Sequence, residues 1–98
     1  MATPSEVFRD NLRRLAAVFG LDAGGLTAVL GWRREDKKWL SRVWHSGLAR
    51  NDYRSSGRLY YLAKLFGLEA TDLWVPDVQP NPEKLPKSMK DRWANRSD

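Results

Sequence analysis

Apolar residues recur along this chain at helical spacing, and each run is bracketed by a start and a stop signal. Phe8, Leu12, Leu15, Ala16 and Phe19 fall on one face of a helix. Its start is written in Thr3-Pro4-Ser5-Glu6. Thr3 can cap, Pro4 fits the first helical position, and Glu6 follows the cap at capping-box distance. Gly20 ends this first helix, and Phe8 and Phe19 read as core. Arg9, Arg13 and Arg14 lie away from the centre of the stripe.

Asp22 can cap a second helix carrying Leu26, Val29 and Leu30. It stops at Gly31, because glycine takes a left-handed C-cap without steric cost. Gly24 and Gly25 in its first turn each cost about 1 kcal/mol relative to alanine, which predicts a frayed start. A third helix, about 34–45, carries Leu40, Val43 and Trp44 and is stopped by Gly47. Ser55 or Ser56 opens a fourth, with Leu59, Leu62, Ala63 and Phe66 as its buried face and Gly67 at its end. Residues 69–74 form a short last helix, anchored by Leu68, Leu73 and Trp74 and closed by Pro76.

No stretch reads as a strand. The expected fold is all-α: a compact bundle of five short helices containing a helix-turn-helix, with a Pro-rich C-terminal tail. The helix-turn-helix domain spans 3–77 and the tail 78–98. In the tail, Pro80, Pro82 and Pro86 read as a linker or a wrapping arm. Met89 and Trp93 stand at i, i+4, enough for one or two turns of terminal helix. A docked end and a disordered one are both open at this level.

The third helix has two chemically different sides. Stepping about 100° per residue places Asp36, Leu40, Val43 and Gly47 together, flanked by Trp39 and Trp44. The opposite side carries Arg34, Lys38, Ser41 and His45, flanked by Lys37 and Arg42. Such a helix can pack one side on a small core and place the other in a DNA groove. The plainer alternative is a solvated charged face. Glu35 and Asp36 suit the positive end of the helix dipole.

Charge sharpens this picture. The net charge is +5 over 98 residues. Between Arg33 and Arg58 stand eight cations against three acids, so this block carries the whole excess. A concentrated basic block suits a polyanion, because phosphate contacts dominate nucleic-acid affinity. A membrane-surface helix is the rival, but the apolar side is short and committed to a core. Within 48–54, Arg50, Tyr53 and Arg54 could reach phosphates from a loop, or the loop could be solvated with Tyr53 packed back on the domain. Arg33 and Arg58 also read as phosphate-holding. His45 can touch the DNA backbone and add mild pH dependence.

Other classes fit less well. There is no cysteine, hence no disulfide framework and no thiolate zinc site. With one histidine and no carboxylate cluster at metal-ligand spacing, an enzyme is not expected, nor a cofactor. The glycines of the second helix lack P-loop spacing. No apolar run approaches the roughly 20 residues that span a bilayer, so no membrane association is expected. The absence of a basic and apolar leader leads to an expected cytoplasmic location, and with a DNA partner a nucleoid-associated one.

The ordered pieces resemble the lambda-repressor-like helix-turn-helix family, of the XRE or Cro type. They are Asn11-Leu12-Arg13-Arg14-Leu15, Leu26-Thr27-Ala28-Val29-Leu30-Gly31, Leu40-Ser41-Arg42-Val43, Leu59 through Gly67, and the closing Asp72-Leu73-Trp74. The resemblance covers roughly residues 5–76. It departs from the family pattern at Thr27, where a small alanine is usual, and at Ala23, near a frequent glutamine. The connection from Gly31 to Leu40 and the loop after Gly47 are both long for the family. The resemblance implies a five-helix fold, sequence-specific binding of double-stranded DNA by a transcriptional regulator, and often a homodimer on a two-fold operator. It assigns the base-reading role to Arg34, Lys37, Lys38, Ser41 and Arg42. No small-molecule ligand is implied. The alternative function is a protein-interaction module that turns the same basic face to an acidic partner, because one fold hosts many functions. RNA binding is disfavoured, since Trp32, Trp39 and Trp44 read as buried or half-buried rather than free to stack on bases.

Overall fold

A computed structural model describes residues 3–49 and 56–96 of the chain. Its regular elements are helices: α1 (Pro4–Val18), α2 (Ala23–Leu30), α3 (Arg34–Ser46), α4 (Ser56–Leu65) and α5 (Lys87–Ala94). Two 3₁₀ turns, Ala70–Trp74 and Pro82–Lys84, lie between α4 and α5. No strand occurs among the described residues.

α1 begins as its sequence demands. The Glu6 amide donates to Thr3 Oγ1 at 3.2 Å and Pro4 opens the helix. Its stripe of Phe8, Leu12, Leu15 and Ala16 is wholly buried and forms the spine of the core. The start of α2 is capped rather than frayed, correcting the expectation from Gly24 and Gly25. Asp22 Oδ1 accepts from the Gly25 amide at 2.7 Å, which offsets the entropy the two glycines cost. Thr27 is buried in α2, and its hydroxyl is satisfied by Gly24 O at 2.8 Å. Gly31, at φ 71°, ends α2, with its own amide bonded to Ala28 O and the Trp32 amide to Thr27 O.

The stretch from Gly31 to Leu40, long for the family it resembles, holds the start of α3 at Arg34, where the helix over about 34–45 was expected. Only Gly31, Trp32 and Arg33 separate α2 from α3, and the remaining residues up to Leu40 form the first turns of α3. Residues 69–74, expected as a short helix, form a 3₁₀ helix over Ala70–Trp74 with Glu69 at its N-cap. Five residues are too few to offset α-helical nucleation, and the tighter bonding suits a segment closed by Pro76.

Residues 78–96 lie on the same core as the rest. Leu85 and Met89 are buried in the same core cluster as Phe66 and Leu62, and Trp93 packs on Phe19 with ring centroids 5.8 Å apart. The Asn81 amide bonds Phe66 O at 2.9 Å, and Arg14 donates to Val78 O at 2.6 Å. Of the two alternatives left open for this end, the docked one is found: Met89 and Trp93 lie on α5. No helix of the described residues is long and apolar enough to cross a membrane.

Candidate nucleic-acid interface

α3 is built on Trp39, Leu40 and Val43, each less than a tenth exposed. Full burial of a side chain such as Leu40 contributes about 1.5–3 kcal/mol, so this helix has a single way to lie on the core. Trp32 and Trp44 pack half-buried at the margins. The other side of α3 faces solvent: Arg34, Lys37, Lys38, Ser41, Arg42 and His45 are all exposed, as is Arg33 just before the helix. The two-sided pattern read from the sequence is therefore the pattern of burial. Lys37 and Ser41 border a shallow groove of about 280 Å³ whose far wall is Ala23, Gly24 and Thr27 of α2.

The ends of α3 are held by different means. At its N-terminus no side chain caps the helix, and Glu35 and Asp36 occupy the first turn. At its C-terminus Gly47, at φ 79°, stops it. A Cβ at that glycine would run into the hydroxyl and carbonyl of Ser5. Ser5 Oγ donates to Leu48 O at 2.8 Å, so the start of α1 is sutured to the end of α3. Arg13 of α1 completes the anchor: its Nε donates to Trp44 O at 2.6 Å and an Nη to His45 O at 3.3 Å. A cation on the last carbonyls of a helix satisfies orphan acceptors and complements the dipole.

Of the cations expected to hold phosphates, Arg33 is exposed and adjoins the ridge. Arg58 is engaged within the protein. Its Nε donates to Asp36 Oδ1 at 2.8 Å, and its guanidinium lies 5.3 Å from the centroid of the Trp39 ring. Asp36, the single acid on the apolar side of α3, thus has its partner on α4. Arg50, Tyr53 and Arg54 lie outside the described residues.

Arg13 and the Asp36–Arg58 pair were not legible as site-building residues. Their partners are 31 and 22 positions away, and for Arg13 they are backbone carbonyls, which leave no mark in a sequence. No group of three or more His, Asp or Glu among the described residues is placed to hold a metal ion. The class defined by fold and surface is a small all-helical protein with a basic ridge on one core-packed helix. No protein-family model, curated protein or solved structure matches the chain.

Proposed function

We propose that this protein is a small transcriptional regulator that binds double-stranded DNA sequence-specifically, with α2 and α3 acting as a helix-turn-helix of the XRE or Cro type and α3 in the major groove. The observation that carries this reading is the exposed ridge of Arg34, Lys37, Lys38, Ser41, Arg42 and His45 on a helix whose opposite side is buried. The major groove admits a helix, and its base edges offer acceptors to arginine and lysine at guanine O6 and N7. Ser41 can donate or accept. In this reading Arg33, exposed just before α3, contacts a phosphate. A two-fold operator and a homodimer belong to the same reading, as does a nucleoid-associated place in the cell.

The test is a selection from a random duplex pool at near-physiological salt, run on the wild type and on a Lys38→Ala, Arg42→Ala double variant. The expected result is an enriched motif in the wild type, with the double variant losing about tenfold or more in affinity for it. A two-fold motif would add dimerisation. A motif that the double variant binds equally well would move the reading surface off α3. Without any enrichment, and with only weak, salt-sensitive binding, the ridge is better assigned to an acidic protein partner.

A further inference from the structure

The N-terminal end of α3 is where a groove-reading helix needs its aim fixed, and it lacks a side-chain cap. Beyond the core packing of Trp39 and Leu40, one guanidinium ties it to α4. Arg58, in the first turn of α4, donates to Asp36 Oδ1 at 2.8 Å and lies over the face of Trp39 at 5.3 Å. Trp39 in turn meets Trp32 edge to face, with centroids 6.1 Å apart and ring planes at 69°. A single side chain therefore ties α4 to α3 and, through the two indoles, to the turn between α2 and α3. In sequence, Asp36 lies between Arg34 and Lys37, the first two cations of the ridge, with Lys38 next to them.

From this arrangement we infer that Asp36 and Arg58 are positioning residues for DNA reading. They set the tilt of the first turns of α3, and Arg58 does not serve as a phosphate-holding cation. This rests on the DNA-binding reading above and deepens it. Two physical points support it. The charge of Arg58 is locally cancelled by Asp36, so the pair exerts little net pull on a phosphate, and moving the guanidinium outward would surrender both the ion pair and the ring contact. Base recognition by bidentate donors is also intolerant of displacement: a site held about 1 Å out of place loses much of its discrimination. Arg13 anchors the far end of α3, so slack at Asp36 would pivot Arg34 and Lys38 in particular.

The experiment compares Asp36→Asn, Arg58→Met, the double variant and the conservative Asp36→Glu with the wild type. Three quantities are read for each: the selected motif, the ratio of specific to random-duplex affinity, and the slope of log affinity against log salt. Each of the first two substitutions is expected to lower the ratio about threefold to fivefold. The loss should concentrate at the base positions read by the start of α3. The double variant should do no worse than either single one, because both remove the same contact. Asp36→Glu should recover most of the loss, and Arg58→Met should leave the salt slope unchanged.

The inference is overturned if Arg58→Met weakens specific and random duplexes alike and flattens the slope by about 0.9, the signature of a lost phosphate contact, while Asp36→Asn does not weaken binding. It is also overturned if both variants only melt earlier and keep the wild-type motif and ratio, which would make the pair purely structural. A wild type that prefers no duplex sinks the DNA-binding reading itself, an outcome distinct from a wild-type motif that all variants share.

Discussion

Asn11 lies 3% exposed on the apolar side of α1, where an amide must be bonded or be costly. Its Nδ2 donates to Leu73 O and Val75 O, both at 2.8 Å, and its Oδ1 accepts from Arg14 at 2.9 Å. Three of its bonding positions are thus used, and the 3₁₀ turn over Ala70–Trp74 is fastened to α1. Asn11→Ala removes a donor from both carbonyls, of which Val75 O keeps the Val78 amide, and opens a small cavity. Urea denaturation should show a loss of about 2–4 kcal/mol, whereas Asp10→Ala on the exposed side should change stability by less than about 0.5 kcal/mol.

Each helix is specified locally at its ends, but its placement is not. α2 is the test of this. Its eight residues include two glycines, and it is too short to be stable alone. The Asp22 cap and the burial of Leu26 and Thr27 hold it in place. Asp22→Ala should cost about 1 kcal/mol, seen as a lowered thermal midpoint, with amide exchange quickening first at Gly24 and Gly25. α3 is the opposite case. It has no side-chain cap, and Arg13, Ser5 and Arg58 from other helices hold its ends. The ridge it presents is therefore only as rigid as its neighbours, so residues remote from the ridge help to set its position.

The whole molecule is closed by the segment after Asp77. Phe19 is the joint: its ring lies 5.7 Å from Phe66 of the α4 end and 5.8 Å from Trp93 of α5. Met89 is fully buried in the same cluster. Met89→Ala should therefore destabilise the entire fold by about 2–4 kcal/mol, with unfolding still a single transition, while Lys87→Ala should be nearly silent. If Met89→Ala were as silent as Lys87→Ala, the segment would not be part of the cooperative unit. The charge distribution also belongs to this scale. The excess of +5 sits in the Arg33–Arg58 block, and pairing of Arg58 with Asp36 withdraws one cation and one acid from it, leaving the excess on the exposed ridge and on residues 50–54.

What the sequence by itself determined is the set of helices and their faces. Apolar spacing, Thr3, Asp22, Gly31 and Gly47 act within about four residues, the reach of helical bonding, so the elements and the basic side of α3 can be read directly. The same locality explains the misreading at the start of α2. Gly24 and Gly25 argued for fraying only because the strength of the Asp22 cap was not visible, whereas the start of α3 was legible and falls at Arg34 as expected. What only the tertiary structure decided is which side chains meet across 20 to 60 or more positions: Asp36 with Arg58, Arg13 with the end of α3, Asn11 with the turn at Leu73, and Met89 with the core. These contacts depend on how helices cross and which backbone carbonyls come within reach. No local rule carries that information, because one arginine reads the same in a sequence whether it ends on a phosphate, a carboxylate or a carbonyl oxygen.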